Sequence, residues 1–351
     1  MTSNIKLISV FIISFLLLTA CAKENKKELA NEREVPTIIF ETDMGNDVDD
    51  ALALDMLYKY LDKGQIKLLS IMTNKNSVYS AEYLDLMNTW YGYPTIPIGI
   101  MKGGPNSEDD ALNYAKAVCL LEESEKPMFD RSLSNYESLP EAHILYRKLL
   151  ASQPDSSVDI VSVGFSTNLI RLLDTPADEY SPLTGVELVG KKVKLLSAML
   201  GSFGADAVRE YNVIVDIPAA KKIFEEWPTA IVVSPFEVGD AIKYPATSIE
   251  KDFAWAPHHP MVEAYKAYLP MPYDRPTWDL TSLMYVAEND NHKMFISAPG
   301  IISIDDEGYS HYQSDATGKH RYLSVDVLQA EVIKAHFVNL IKSKPLKYQN
   351  K

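Results

Sequence analysis

The sequence predicts an α/β fold: an open, mostly parallel sheet with helices on both faces, plus a small β-hairpin region near the C-terminus. Three observations predict it. Short, continuously apolar, β-rich runs recur from Pro36 onward, the pattern of strands buried on both faces. Helical apolar spacing follows most of them. Apolar residues make up 46% of the 351 residues, enough to bury a full core.

The elements follow in order. "TIIFET" is a first strand, and "DDALALDMLYKYL" a helix with Leu52, Met56, Leu57, Tyr60 and Leu61 on its apolar face. "IKLLSIMT", "PTIPIGI", "VDIVSVGFS", "KVKLLSAMLG" and "TAIVVSP" read as further strands. "SVYSAEYLDLMNTWYG", "EAHILYRKLLAS", "TNLIRLLDT" and "IPAAKKIFEEW" read as helices. Trp90, Tyr91 and Tyr93 close the second helix against the core, and Cys119 in "AVCLL" reads as a small core hydrophobe. Residues 102–140 are too long for a simple connection; they predict an insertion with its own helix, and Tyr114 is its lid candidate. Residues 295–325 predict a small antiparallel patch around Asp305–Gly308, followed by the amphipathic helix "VLQAEVIKAHFVNLIKS". With no internal repeat and no linker, one domain over residues 36–347 is expected.

The N-terminus reads differently. Lys6 precedes "LISVFIISFLLLTA", a signal-like apolar run too short and too early for an ordinary membrane span. "LTAC", Leu18 to Cys21, resembles a bacterial lipobox. Residues 1–20 are then a lipoprotein signal peptide, Cys21 the lipidated residue, and 21–35 a charged tether. This implies lipid anchoring in a bacterial cell envelope, on the periplasmic or surface side. The formal charge of −14 becomes −15 without residues 1–20. So acidic a chain is a poor partner for nucleic acid.

The chemistry concentrates in "FETDMGNDVDDALAL", where five carboxylates lie between Glu41 and Asp50. Two carboxylates 4 Å apart repel by about 4 kcal/mol at an effective dielectric near 20. Spreading into solvent, protonation or a bound cation relieves this. A strand–helix junction is poorly placed for spreading, although Asp47 and Asp49 could simply cap the helix. Many oxygen donors suit Ca²⁺, and the His and Cys clusters zinc prefers are absent. A haloacid-dehalogenase-type phosphatase is disfavoured because Glu41 stands where its first Asp is required. An EF-hand is disfavoured because Val48 occupies the glycine position counted from Asp43.

This stretch resembles the opening motif of the inosine-uridine-preferring nucleoside hydrolase family, Asp-x-Asp-Pro-Gly-x-Asp-Asp-Ala. Asp43, Gly45, Asp49, Asp50 and Ala51 match it. Glu41 replaces the first Asp, Met44 replaces Pro, and two residues are inserted before the Asp pair. "MTNKNS", "GFSTNL", "REYNVIVDIPAAKKIF" and "RPTWDLTSLMYV" follow in the family's order. The resemblance implies a Rossmann-like sheet of the nucleoside hydrolase type and Ca²⁺-dependent hydrolysis of a ribonucleoside to base and ribose. It implies metal ligation by Asp43, Asp50, the Thr167 carbonyl and Asp279, with Asp43 as general base. It implies substrate binding by Asp49, Asn74 or Asn76, Glu210 and Asn212. Where many members carry His before the last Asp, Trp278 stands; it cannot protonate a leaving base, but it could stack on one or pack in the core. "GSFGADAV" stands where the family has a further Asn. His258 and His259 could replace the missing acid, or sit at the surface or cap a helix. The expected partner is a small-molecule nucleoside or riboside, and a homo-oligomer is left open. The alternatives are a ribose- or nucleoside-binding lipoprotein without turnover, and a hydrolase of another pentoside.

Overall fold

A computed structural model describes residues 34–105, 112–288 and 293–349. The signal segment, Cys21 and almost all of the tether lie outside the described residues. Pro36–Lys351 clusters as one unit by its contacts. No helix of the described residues is long and apolar enough to cross a membrane.

The first half of the chain alternates β1 (Thr37–Thr42), α1 (Asp49–Asp62), β2 (Lys67–Thr73), α2 (Val78–Tyr91) and β3 (Ile98–Gly99). The insertion supplies α3 (Tyr114–Cys119) and a short hairpin, β4 (Glu122–Glu123) and β5 (Lys126–Pro127). There follow α4 (Ala142–Ala151), β6 (Val158–Ser162), α5 (Thr167–Leu173), α6 (Gly185–Lys192) and β7 (Val193–Met199). Then come α7 (Tyr211–Ile214), α8 (Ile217–Glu226), β8 (Ala230–Ser234), α9 (Phe236–Ala241), β9 (Lys243–Tyr244), α10 (Ala246–Lys251) and α11 (Pro260–Tyr268). The chain continues with β10 (Arg275–Pro276), α12 (Trp278–Glu288), β11 (Phe295–Ile296), β12 (Gly300–Ile304), β13 (Ser310–Ser314), β14 (His320–Ser324) and α13 (Val327–Ile341).

The main sheet runs β13-β12-β14-β8-β7-β6-β1-β2-β3. It is parallel from β14 to β3. The expected C-terminal patch is present, and its last strand, β14, extends the parallel sheet beside β8. The expected third strand shrinks to Ile98–Gly99, where Gly99 lies against Ala142 of α4. Strand alternation divides the core. Ile38 and Phe40 pack on one face with α1, α2, α11, α12 and α13; Ile39 packs on the other with α4, α5, α6 and α8. After β1 the chain steps to β2 and β3 on one side, then returns to β6 on the other. The β1–β6 junction is thus where the winding reverses, and the crevice at such a point opens at the strands' carboxyl ends.

The insertion is fastened to α2. The buried Asp85 carboxylate accepts bonds from Ser132 N (3.0 Å), Ser132 Oγ (2.5 Å), Leu133 N (2.9 Å) and Tyr136 OH (2.9 Å). Tyr114, the lid candidate, is instead a core residue with no exposed surface; its ring stands edge-on to Tyr83 and Tyr268. An aromatic side chain on a helix docked against α2 and α11 is drawn inward by its apolar area. Asp85→Ala is expected to cost about 3 kcal/mol, because it strands several buried donors at once. Thermal unfolding checks this, and an unchanged midpoint would remove Asp85 from the role.

A second fastening sets the loop between α5 and α6. The buried Arg147 guanidinium is bidentate to Asp178 and also donates to Thr175 Oγ1 (2.8 Å) and Leu183 O (2.9 Å). The Arg147 hydrogen bonds hold the Asp178 carboxyl down at about 2. A carboxylate lowered on folding adds stability above its unfolded value and loses it as pH falls through the folded one. Stability is therefore expected to fall between about pH 4 and pH 2. Asp178→Asn should flatten that limb in a denaturant titration run across the window; an identical acid limb in the variant contradicts the assignment.

Candidate active site

The acidic motif folds as a tight turn between β1 and α1. Gly45 makes it with φ +108°, a backbone conformation that residues with a Cβ rarely adopt. Asp49 and Asp50 then open α1, where carboxylates meet the positive end of the helix dipole. Asp279 opens α12, and its backbone N donates to Asp49 Oδ2 (3.1 Å) across 230 positions of sequence. The two ends of the domain therefore meet at one point, beyond the carboxyl end of β1.

A cavity of about 450 Å³ lies there. Asp43, Asp49, Asp50, Glu210, Asn212, Trp278 and Asp279 all line it, as do Asn46, Asp47, Phe236, Tyr211 and Tyr268. Asp43, Asp49, Asp50 and Asp279 are each no more than 4% exposed. Burial pushes Asp43 up to about 6, against the Asn46 hydrogen bond and the Lys75 charge that pull it down. Burial holds Asp49, Asp50 and Asp279 well above the usual carboxylate range, with repulsion from neighbouring carboxylates added: Asp47 on Asp49, Asp43 and Asp49 on Asp50, and Asp49 and Asp50 on Asp279. Asp50 also accepts a hydrogen bond from Thr42 Oγ1.

Glu210 and Asn212 are buried and pinned. Glu210 caps α7, accepting from Asn212 N (2.7 Å) and Val213 N (3.2 Å), and also takes Gly201 N (3.1 Å). Burial raises its carboxyl to about 7. Asn212 Nδ2 is committed to the carbonyls of Val163 (3.3 Å) and Met199 (3.2 Å), which identifies Oδ1 as the acceptor its amide presents elsewhere. In the "GSFGADAV" loop, Ser202 Oγ and the N–H groups of Phe203 and Gly204 all bond Glu237 Oε1. That carboxylate holds the loop in shape.

Three expected site residues do not line the cavity: Asn74, Asn76 and Thr167. Asn74 is buried, and its Nδ2 bonds Glu41 Oε1 (3.0 Å) and Phe165 O (2.9 Å). It ties the ends of β1, β2 and β6 together. Asn76 is half-buried beside it in sequence. Thr167 opens α5, with its hydroxyl on Asp216. Glu41, in the family's first Asp position, is fully buried and bonds Tyr146 OH (2.7 Å); burial lifts its carboxyl to about 7. His258 and His259 also stay outside the cavity. His259 is 1% exposed among Trp90, Phe253 and Trp255, and burial holds it neutral.

Sequence reading missed several residues that shape the site. Arg275 is bidentate to Asp47 (Nε to Oδ1, 2.7 Å) and stands over the rings of Tyr268 and Trp278. Phe236 stacks on Trp278, with centroids 5.5 Å apart, and its carbonyl accepts from Trp278 Nε1 (2.9 Å). Lys75, without exposed surface, donates to Asn46 Oδ1 (2.7 Å), and Asn46 Nδ2 donates to Asp43 Oδ2 (2.5 Å). The available signals were faint: Asn46 and Asp47 lie in the stretch that is two residues longer than the motif, and Phe236 follows the end of a strand.

The donor chemistry fits a hard dication. Several buried carboxylates converge on one cavity that no thiol or imidazole of the described residues lines. Among the described residues, no three acidic, His or Cys side chains already stand at metal-binding spacing.

The comparisons point one way. A family model described as "Inosine-uridine preferring nucleoside hydrolase" matches residues 38–334. No curated protein matches the chain by sequence. Among solved structures, a plant nucleoside hydrolase is similar at 15% identity and TM-score 0.66, covering 88% of this chain and 100% of that one. The inosine-uridine preferring nucleoside hydrolase from Bacillus anthracis is similar at 15% identity and TM-score 0.63, covering 88% and 99%. The purine-preferring ribonucleoside hydrolase from Gardnerella vaginalis is similar at 14% identity and TM-score 0.63, covering 87% and 99%. At such identities the structural likeness speaks for the fold.

Proposed function

Because the chain belongs to the inosine-uridine preferring nucleoside hydrolase family and is a hydrolase of N-glycosyl bonds, we propose that it cleaves ribonucleosides to base and ribose, using Ca²⁺ and Asp43 as general base. One observation carries this reading: Asp43, Asp49, Asp50 and Asp279 line a single cavity with Glu210, Asn212 and Trp278.

The roles follow from the groups present. Asp43, Asp50 and Asp279, which line the cavity, would hold the ion; the Thr167 carbonyl, a further ligand by the family resemblance, belongs to a residue outside that lining. Bound there, calcium would offset the carboxylate charge and help orient the attacking water. Asp43 accepts that water's proton. Asp49, Glu210 and Asn212 accept from or donate to sugar hydroxyls at fixed positions, because each is tied to backbone. Asn74 serves beneath the site, bracing β1 against β6. The surrounding negative charge favours the positive charge that develops on ribose as the glycosidic bond breaks. Trp278 cannot donate a proton: its one N–H is spent on Phe236 O. It offers the leaving base an apolar ring in the cavity lining instead, stacked by Phe236. We further propose that Cys21 anchors the protein by lipid to the cell envelope.

Residues 22–351 with calcium and inosine, uridine, adenosine or a nitrophenyl riboside are expected to release reducing sugar. Chelation should abolish release, and calcium should restore it. Tight ribose binding without release contradicts the enzyme. Release from another pentoside alone contradicts the nucleoside assignment. Cys21→Ser in the full chain is expected to move the protein from the membrane to the soluble fraction; membrane retention contradicts the anchor.

A further inference from the structure

The acidic cavity has a cation built in behind it. Lys75 has no exposed surface, and an isolated ammonium so placed would be costly. Its Nζ donates to Asn46 Oδ1 at 2.7 Å, and Asn46 Nδ2 donates to Asp43 Oδ2 at 2.5 Å. The chemistry of this chain is directional. An ammonium can only donate, so the Asn46 oxygen must face Lys75. The Asn46 N–H₂ must then face Asp43. Lys75 thereby selects one of two amide orientations, and the other would point a carbonyl oxygen at a carboxylate. With Oδ2 held by Asn46, Oδ1 is the Asp43 oxygen left without a side-chain partner among the described residues.

We infer that Lys75 is a positioning residue for the hydrolytic reaction: acting through Asn46, it fixes the Asp43 carboxylate so that one chosen oxygen, Oδ1, receives the proton. Lys75 stands between the two asparagines of "MTNKNS", and Asn46 lies between Gly45 and the Asp49–Asp50 pair, in the stretch that is two residues longer than the family motif. The inference rests on Asp43 acting as general base. It goes beyond that reading by naming the residues that aim the base.

The test compares Asn46→Ala, Lys75→Met and the double variant with wild type and Asp43→Asn, using inosine with saturating calcium. Each single variant is expected to lose about 10- to 100-fold in kcat with KM within about twofold, because a misplaced base slows chemistry without weakening substrate binding. The double variant should be no slower than the worse single one, since both break the same chain of bonds. A crystal structure of Lys75→Met should show the Asn46 amide turned or withdrawn from Asp43. Thermal unfolding checks that each variant folds; if Lys75→Met does not, Asn46→Ala decides the matter, since it leaves the buried lysine in place. Unchanged kcat in Asn46→Ala, a change confined to KM, or multiplicative losses in the double variant would each overturn the positioning role. Full activity in Asp43→Asn would instead overturn the general-base assignment beneath it.

Discussion

Asp43→Asn is expected to lower kcat by about 10³-fold while leaving the protein folded. The substitution keeps the volume of the side chain and an oxygen to accept from Asn46, but removes the basic carboxylate. Burial already disfavours the charge of Asp43, which is raised to about 6, and the neighbouring Asp47 repels it. Losing that charge should leave the ion-free protein as stable as before, or more so, since functional carboxylates packed together cost stability. The measurement is a pair: steady-state turnover with calcium, and the unfolding midpoint without it. Turnover within tenfold of wild type would sink the assignment of Asp43 as base. A large fall in midpoint would mean that the residue holds the fold instead.

Gly164→Ala is expected to damage both stability and activity, for a steric reason. A Cβ at this position would stand 2.5 Å from Asn74 Oδ1, 2.8 Å from Asn74 Nδ2 and 2.8 Å from the backbone N of Asp43. Asn74 is tied to Glu41 and to Phe165 O, so it has little room to yield. The other contact is backbone and cannot rotate away. Overpacking of this kind costs about 1–3 kcal/mol. Moving Asp43 by about 1 Å would cost on the order of 100-fold in turnover. Thermal unfolding and kcat measured together decide it; a variant with wild-type values in both would show that β1 and β6 do not hold Asp43 by this close approach.

The sequence made much of the framework legible. Apolar runs such as "VDIVS" and helical spacing such as that of Leu52, Met56 and Tyr60 are local signals of burial, and the elements formed where those signals lie. Short helices such as Tyr211–Ile214 and Phe236–Ala241 escaped, because four to six residues carry no readable period. The site was legible in part. Asp43, Asp49, Asp50, Glu210, Asn212 and Asp279 sit in motifs with a characteristic order, and all of them reach the cavity. Asn74 was visible by the same route, yet its amide is turned to Glu41 and Phe165 and it braces the strands. A polar residue at a strand end reads the same whether it faces a ligand or the neighbouring strand.

What the sequence alone determined is the alternation of strand and helix and the acidic turn at the end of the first strand, since both depend on residues only a few positions apart. Tertiary structure decided which charges meet. Lys75 reaches Asn46 across 29 positions, and Arg275 reaches Asp47 across 228. Those pairs exist because the winding reverses at β1 and brings distant loops to one end of the sheet. No periodicity records such a meeting, because a side chain's partner is set by the path of the backbone and not by its neighbours in the chain.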